Sequence, residues 1–220
     1  MVHCNNCTSD LNAWVNIFKE YQELLGIPVD MNEIYGKLYN NALNGDTDCG
    51  GLIAYNYFSG EPVTGLSEGR PLFVRSANDK FNLANFMRSH LYASICVLKI
   101  GNDILFKDEQ VKVDRITGHG GLFKTKGVGQ RILAAAINSP ISVMETAGEG
   151  GAWGIALLAS YLVNNNSQLS LADFLEYKVF TGESGVEISP TEEEVAGFNK
   201  YIENYRNCLA IEEAAVNVKK

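Results

Sequence analysis

Between Val113 and Val163 the chain reads strand, glycine turn, helix, and then the same order again. The first unit is "VDRITGHGGLFKTKGVGQRILAAAI", with a strand over Val113–Thr117 and a helix from about Gly127 to Asn138. In the second, the strand "ISVMET" leads through "AGEGGAWG" into the helix "AWGIALLASYLV". Few folds accept this order. If the two strands pair in parallel, both turns open at the carboxyl edge of one sheet, which is where α/β proteins bind ligands. Gly118, Gly120 and Gly121 let backbone approach a ligand closely, and the helix behind them presents free N–H groups to an anion or a flat ring. Gly154, inside the second helix, reads instead as a packing glycine against the sheet.

The glycine spacing excludes two familiar phosphate motifs. Walker A needs G-x-x-x-x-G-K-[ST], but the residues five beyond Gly118, Gly120 and Gly121 are Phe123, Thr125 and Lys126. The dinucleotide fingerprint G-x-G-x-x-G fails as well, because Phe123 stands where its third glycine belongs. Glu145 at the end of the next strand offers only one part of a Rossmann site.

The rest of the chain is mainly helical in pattern. Leu11, Trp14, Val15, Phe18, Tyr21, Leu24 and Leu25 recur at helical spacing behind Thr8-Ser9-Asp10, and Gly26 closes that helix. Asp30 caps a second helix that ends by Gly45. A buried strand follows over Leu52–Tyr57, and a short one over Leu72–Val74. "NLANFMRSHLYASICVLKIGNDILF" reads as a core helix. His90 lies on its apolar stripe as a core residue, with no partner carboxylate apparent in the sequence. A short helix is capped near Ser170. Pro190 and Thr191 open the last long helix, where Glu192-Glu193-Glu194 reads as a solvated run at the positive end of the dipole.

The 220 residues are 46% hydrophobic, enough to bury a sizeable core, and no repeat or linker divides them, so residues 1–220 are expected to form one domain. The net charge of −8, with scattered lysines and arginines, disfavours nucleic acid as a partner. Apolar runs such as Ile132–Ile137 and Ile155–Val163 are too short or too interrupted to span a bilayer, and "MVHCNNCTSD" does not read as a signal peptide, so a soluble, cytoplasmic protein is expected. Cys4 and Cys7 form a lone C-x-x-C with no second ligand pair at metal spacing. They read as free thiols rather than a zinc or redox site.

Four segments in order resemble the C-terminal part of the FGGY carbohydrate kinases, the xylulokinase and ribulokinase group. They are "YNYFSGEPVTG", "NLANFMRSHLYASICVLKIG", "ITGHGGLF…GQRILAAAI" and "GEGGAWGIALLASYL". "HCNNCTSDLNAWV" is similar to the family's helix start ahead of them. The resemblance implies an α/β, actin-like (ribonuclease H-like) ATPase domain with a central mixed sheet and several helices. It also implies ATP or ADP, with Mg²⁺, as the nucleotide and a sugar as co-substrate. Gly118, Gly120 and Gly121 would lie along the adenosine, Phe123 and Lys124 near the adenine or ribose, and Gly150 and Gly151 at the border of the pocket. Here His119 interrupts the glycine run, and the passage from the glycines to the helix is a few residues longer than the family pattern.

The family's phosphate-binding D-x-G-[TS] segment and its catalytic Asp have no counterpart here; Asp46 and Asp48 in "GDTDCGG" read as loop residues. The resemblance therefore implies the ATP-side half of a kinase, inactive by itself, whose sugar and phosphate domain lies elsewhere. Apolar surface left where that domain docks would favour a homodimer. A non-catalytic actin-like scaffold is the competing reading, with a Rossmann-like oxidoreductase behind it.

Overall fold

The computed structural model describes residues 2–113, 116–145, 147, 150–164, 169–181 and 185–218. Helix α3 (Leu83–Asp103) is the central strut of the core, and a π-helical turn over Ile104–Asp108 extends it. Fifteen of its 21 residues are buried, so it is surrounded on nearly all sides. Asn82 caps its start by accepting from the Asn85 N–H at 2.9 Å. Helices α1 (Ser9–Leu24) and α2 (Met31–Ala42) pack on it through Leu11, Val15, Ile34 and Leu38.

Arg88 of α3 is buried without a carboxylate partner. Its guanidinium donates instead to the carbonyls of Leu43 and Gly45, just past α2, where the negative end of that helix dipole favours a cation. Tyr92 receives the Arg88 Nε–H at 3.0 Å and donates onward to Thr47 O at 3.0 Å. The α2–α3 junction is thus satisfied group by group, which a buried charge requires.

Two small sheets flank this helical core. Strand β1 (Ile53–Tyr55) pairs antiparallel with β2 (Leu72–Val74). It is shorter than the Leu52–Tyr57 expected. Strands β3 (Ile116–Gly118) and β4 (Ile141–Val143) run parallel, and β5 (Val186–Ile188) joins β4 antiparallel, giving a mixed sheet in the order β3-β4-β5. The expected strand over Val113–Thr117 lies further along, ending at Gly118, and its Asp114 and Arg115 are outside the described residues. Helix α4 (Val128–Ile137) covers the sheet. Its buried Gln130 donates from Nε2 to the carbonyls of Ile141 and Val186, both at 2.6 Å, and so ties the helix to β4 and to β5.

Helix α5 (Gly150–Asn164) starts two residues before the pattern indicates. It meets the rest of the described chain through Tyr161, whose ring lies 5.3 Å from that of Phe174 in α6 (Leu171–Phe174), centroid to centroid, and whose hydroxyl donates to Leu169 O. A Cβ placed on Gly154 would meet nothing within 4 Å, so the close packing expected of that glycine is absent. Helix α7 (Glu192–Asn207) returns to the core through Phe198, Tyr201 and Tyr205, followed by α8 (Leu209–Asn217). Thr191 and Glu194 form a capping box at the α7 start. Glu194 is buried and paired with Arg131 of α4, so the third glutamate of the run is a structural residue, while Glu192 and Glu193 are exposed as expected.

Candidate functional site

The glycine turn after β3 is built by close contact and by one unusual backbone angle. Gly118 is buried, and a Cβ there would fall 2.5 Å from the Phe123 ring. The bare face assigned to a ligand is therefore covered by a side chain of the same loop. Gly120 takes φ +110°, a conformation that L side chains rarely adopt, and its N–H donates to Ala147 O at 2.8 Å. This bond joins the first turn to the segment after β4, so the two turns lie side by side as the parallel strands require. Thr146, Gly148 and Glu149 of the second turn are outside the described residues. A 3₁₀ turn over Gly121–Phe123 leads to Lys124 and then to α4.

Two cavities open around this turn. The larger, about 650 Å³, is lined by Phe123, Val143, Met144, Val186 and Ile188, with Lys124, Lys126 and Glu145 among its polar groups. Every described buried polar atom among its lining residues already has a partner. The smaller, about 460 Å³, gathers groups from three distant stretches of chain. Thr8 and Asn12 come from the start of α1, Tyr35, Gly36 and Tyr39 from α2, and Gly121, Leu122 and Thr125 from the glycine turn. Lys124 and Lys126 line both cavities.

The smaller cavity combines aromatic surface with polar groups. Tyr35 and Tyr39 supply aromatic surface, their rings meeting edge to face at 5.5 Å. Burial pushes both phenols above their ordinary range, so they remain neutral donors. The Tyr35 hydroxyl donates to Asn12 Oδ1 at 3.0 Å, leaving the Asn12 amide nitrogen available to an acceptor on a bound base or ribose. Thr8 makes no side-chain cap bond to α1, so the first turn of that helix faces the cavity uncapped. Gly121 is exposed, with open space where a side chain would stand.

The residues proposed from sequence are thus divided. Gly121 and Lys124 line the smaller cavity, and Phe123 and Lys124 the larger. Gly118 and Gly120 shape the turn from behind. Gly150 and Gly151 stand in the first turn of α5, and Gly151 lines neither cavity. Thr8, Asn12, Tyr35, Tyr39 and Thr125 were not identified in advance. The available signal was a helix start with serine and threonine but no cap bond, which sequence alone does not distinguish from a capped one.

Two further sequence features find their place here. Glu61, in the "SGEP" stretch, is fully buried and accepts the N–H groups of Asn5 and Asn6 at 3.0 and 3.3 Å, anchoring the segment that leads into α1. Cys4 and Cys7 are free thiols. Burial, followed by the nearby Glu61 charge, pushes Cys4 up to about 11, and burial raises Cys7, so neither is a ready nucleophile at neutral pH. Among the described residues no group of three or more His, Cys, Asp or Glu side chains is placed to hold a metal ion, and no helix is long and apolar enough to cross a membrane.

A mixed sheet with a glycine turn at the carboxyl edge of its parallel pair, flanked by helices and opening on two cavities, defines an α/β domain. Residues 1–163 match the FGGY family of carbohydrate kinases, C-terminal domain, and the chain belongs to that family. Its α/β fold is the actin-like fold of those kinases. Xylulose kinase from Lactobacillus acidophilus is similar at TM-score 0.60 and 22% identity, over 79% of this chain and 34% of that one. A xyloylose kinase from Brucella ovis gives 0.61 and 16%, over 90% and 38%. Glycerol kinase from Plasmodium falciparum, solved with ADP, gives 0.57 and 16%, over 94% and 38%. The chain therefore spans little more than a third of the length of these solved structures. No curated protein matches it.

Proposed function

We propose that this chain is the nucleotide side of an ATP-dependent carbohydrate kinase, and that the adenosine of ATP or ADP occupies the smaller cavity. The observation that carries this reading is the convergence of Asn12, Tyr35 and Gly121 on one space from three separate elements. In this reading the Tyr35 and Tyr39 side of α2 meets the flat base. The Asn12 amide and the Thr125 hydroxyl take its polar edge or the ribose, and the Gly121 backbone lies against the sugar. Lys124 and Lys126, at the junction of the cavities, face the direction in which phosphates would leave. Gly118 and Gly120 hold the turn, and the Gly120–Ala147 bond joins it to the segment that leads toward Gly150 and Gly151.

Phosphoryl transfer needs an in-line hydroxyl, a base and charge-stabilising groups around the γ-phosphate. The chain's own contribution is to bind and orient the nucleoside, and it supplies no cluster of carboxylates for Mg²⁺ among its described residues. Mg²⁺ would arrive on the nucleotide phosphates, neutralising their charge. The sugar, of the pentulose type that xylulose kinases act on, and the residue that activates its hydroxyl belong to a part of the kinase other than these residues. By itself the chain is expected to bind nucleotide without turnover.

ADP titration by calorimetry and thermal shift tests the reading. Ligand at about 100 times its Kd stabilises by roughly 2.7 kcal/mol, which raises Tm by about 5–10 °C for a chain of this size. Asn12→Ala should remove most of that shift and leave the Tm without ligand nearly unchanged, because Asn12 is exposed. A flat response to both ADP and ATP would favour a non-catalytic actin-like scaffold instead.

A further inference from the structure

Opposite the cavity, the first turn of α1 makes a polar contact inside the core. Asp10 is buried and its Oδ2 accepts from Trp14 Nε1 at 3.2 Å. The same oxygen lies 3.4 Å from Nδ1 of His90, in the middle of α3. His90 is only 2% exposed and is ringed by Phe86, Trp14 and Phe73 at 4.6, 5.2 and 5.7 Å between centroids. The partner carboxylate that sequence did not reveal is thus Asp10, eighty positions away. With Nδ1 turned to the carboxylate, Nε2 is left buried without a hydrogen-bond partner. Such a group is costly to bury and needs a compensating reason.

We infer that Asp10 and His90 are positioning residues for the nucleoside cavity, setting the rotation of α1 about its axis so that Thr8 and Asn12 face Gly121 and Thr125. This inference rests on the nucleotide reading above. Thr8 and Asn12 are four residues apart and share one face of α1, while Asp10 and Leu11 point to the core. The apolar contacts of Leu11 and Val15 hold the helix down but are non-directional. A rotation of about 20° would displace a side-chain atom about 5 Å from the axis by about 2 Å, enough to lose a hydrogen bond on the cavity side. The Asp10–His90 contact is the polar tie from this turn of α1 to α3, and Trp14 Nε1 holds the Asp10 carboxylate in place for it.

The test compares His90→Leu, His90→Gln and Asp10→Ala with Ile95→Ala. Ile95 is a buried residue on the same helix with no part in the contact. His90→Leu is expected to weaken ADP binding about tenfold, measured by calorimetry with the fitted stoichiometry giving the folded fraction. His90→Gln keeps a donor toward Asp10 and should stay within about threefold of the parent. Ile95→Ala should lose stability at unchanged affinity, as a purely structural role for His90 would also predict for His90→Leu. In parallel, amide NMR reads the Gly121 N–H and the Asn12 side-chain amide without ligand. Both should move in His90→Leu and stay in place in Ile95→Ala. If the parent does not bind ADP, the nucleotide reading fails, and the NMR shifts alone decide the positioning role. Unmoved Gly121 and Asn12 signals, or parent-like ADP affinity in folded His90→Leu, overturn it. Should His90→Leu not fold, Asp10→Ala carries the same comparison, because it removes the oxygen that faces His90 Nδ1.

Discussion

Helix α5 is the more apolar of α3 and α5 in sequence, yet α3 is the one the chain encloses. Helix α3 is enclosed by α1, α2, α4 and β1, and its buried Arg88, Ser89, Tyr92 and Ser94 are satisfied internally. Helix α5 has no charged residue from Gly150 to Asn164, and still leaves Ile155 70% and Leu162 80% exposed. A helix that is apolar all round is normally covered. Hydrophobicity therefore specifies that a helix should be buried, but it does not say what buries it. The difference also bears on the candidate site. The cavity walls from α1 and α2 rest on the enclosed helix, whereas Gly151, on the open one, is not among the residues that line the cavity.

The comparison can be tested by substitution, beginning with the enclosed helix. Leu91→Ala, at a fully buried α3 position, should cost about 3 kcal/mol within the usual range of 2–5, measured by urea unfolding. A cost near zero would mean that α3 is not the strut described here. The α4–α7 junction lies between the extremes. Burial raises the Glu194 carboxyl, but the Thr191 N–H and hydroxyl and the Arg131 guanidinium outweigh it and hold the group below the usual carboxylate range.

A depressed acid stabilises the fold above its unfolded pKa, about 4.3 for Glu, and loses that contribution as pH falls through the folded value. Glu194→Gln should therefore cost about 1 kcal/mol at pH 7, with the partly exposed Arg131 limiting the effect, and less at pH 3. A penalty equal at both pH values would remove the charge from the explanation. The smallest effect is expected on α5. Leu162→Ala should change monomer stability by less than about 0.5 kcal/mol. The uncovered surface should instead appear as concentration-dependent self-association by sedimentation, reduced in Ile155→Glu/Leu162→Glu. A monomer at all concentrations would show that α5 tolerates solvent in this chain.

Much of the architecture was legible because it is local. The period of Leu11, Val15 and Phe18, the capping residues Asp30, Ser170 and Thr191, and the glycines at the β3 turn each act within a few positions. The parallel pairing of β3 and β4 followed from the repeated strand–turn–helix order. Strand lengths were less legible, since pairing rather than composition ends a strand. Phe123 could not be recognised from sequence as the residue covering Gly118, because the ring folds back within its own loop. Thr8, Asn12 and Tyr35 were missed for the opposite reason. Each lies about a hundred positions from Gly121, and no local pattern marks them as neighbours.

From its sequence alone, this protein is an α/β chain with a glycine turn between strand and helix, few features suited to nucleic acid or membrane, and the ordered segments of a carbohydrate kinase family. Those properties depend on side-chain period, backbone angle and charge, all of which are written in consecutive residues. Tertiary structure decided which face of the turn is open, that Asp10 meets His90, and that α5 remains uncovered. These depend on contacts between residues far apart in sequence, where geometry and desolvation select the partner and composition does not.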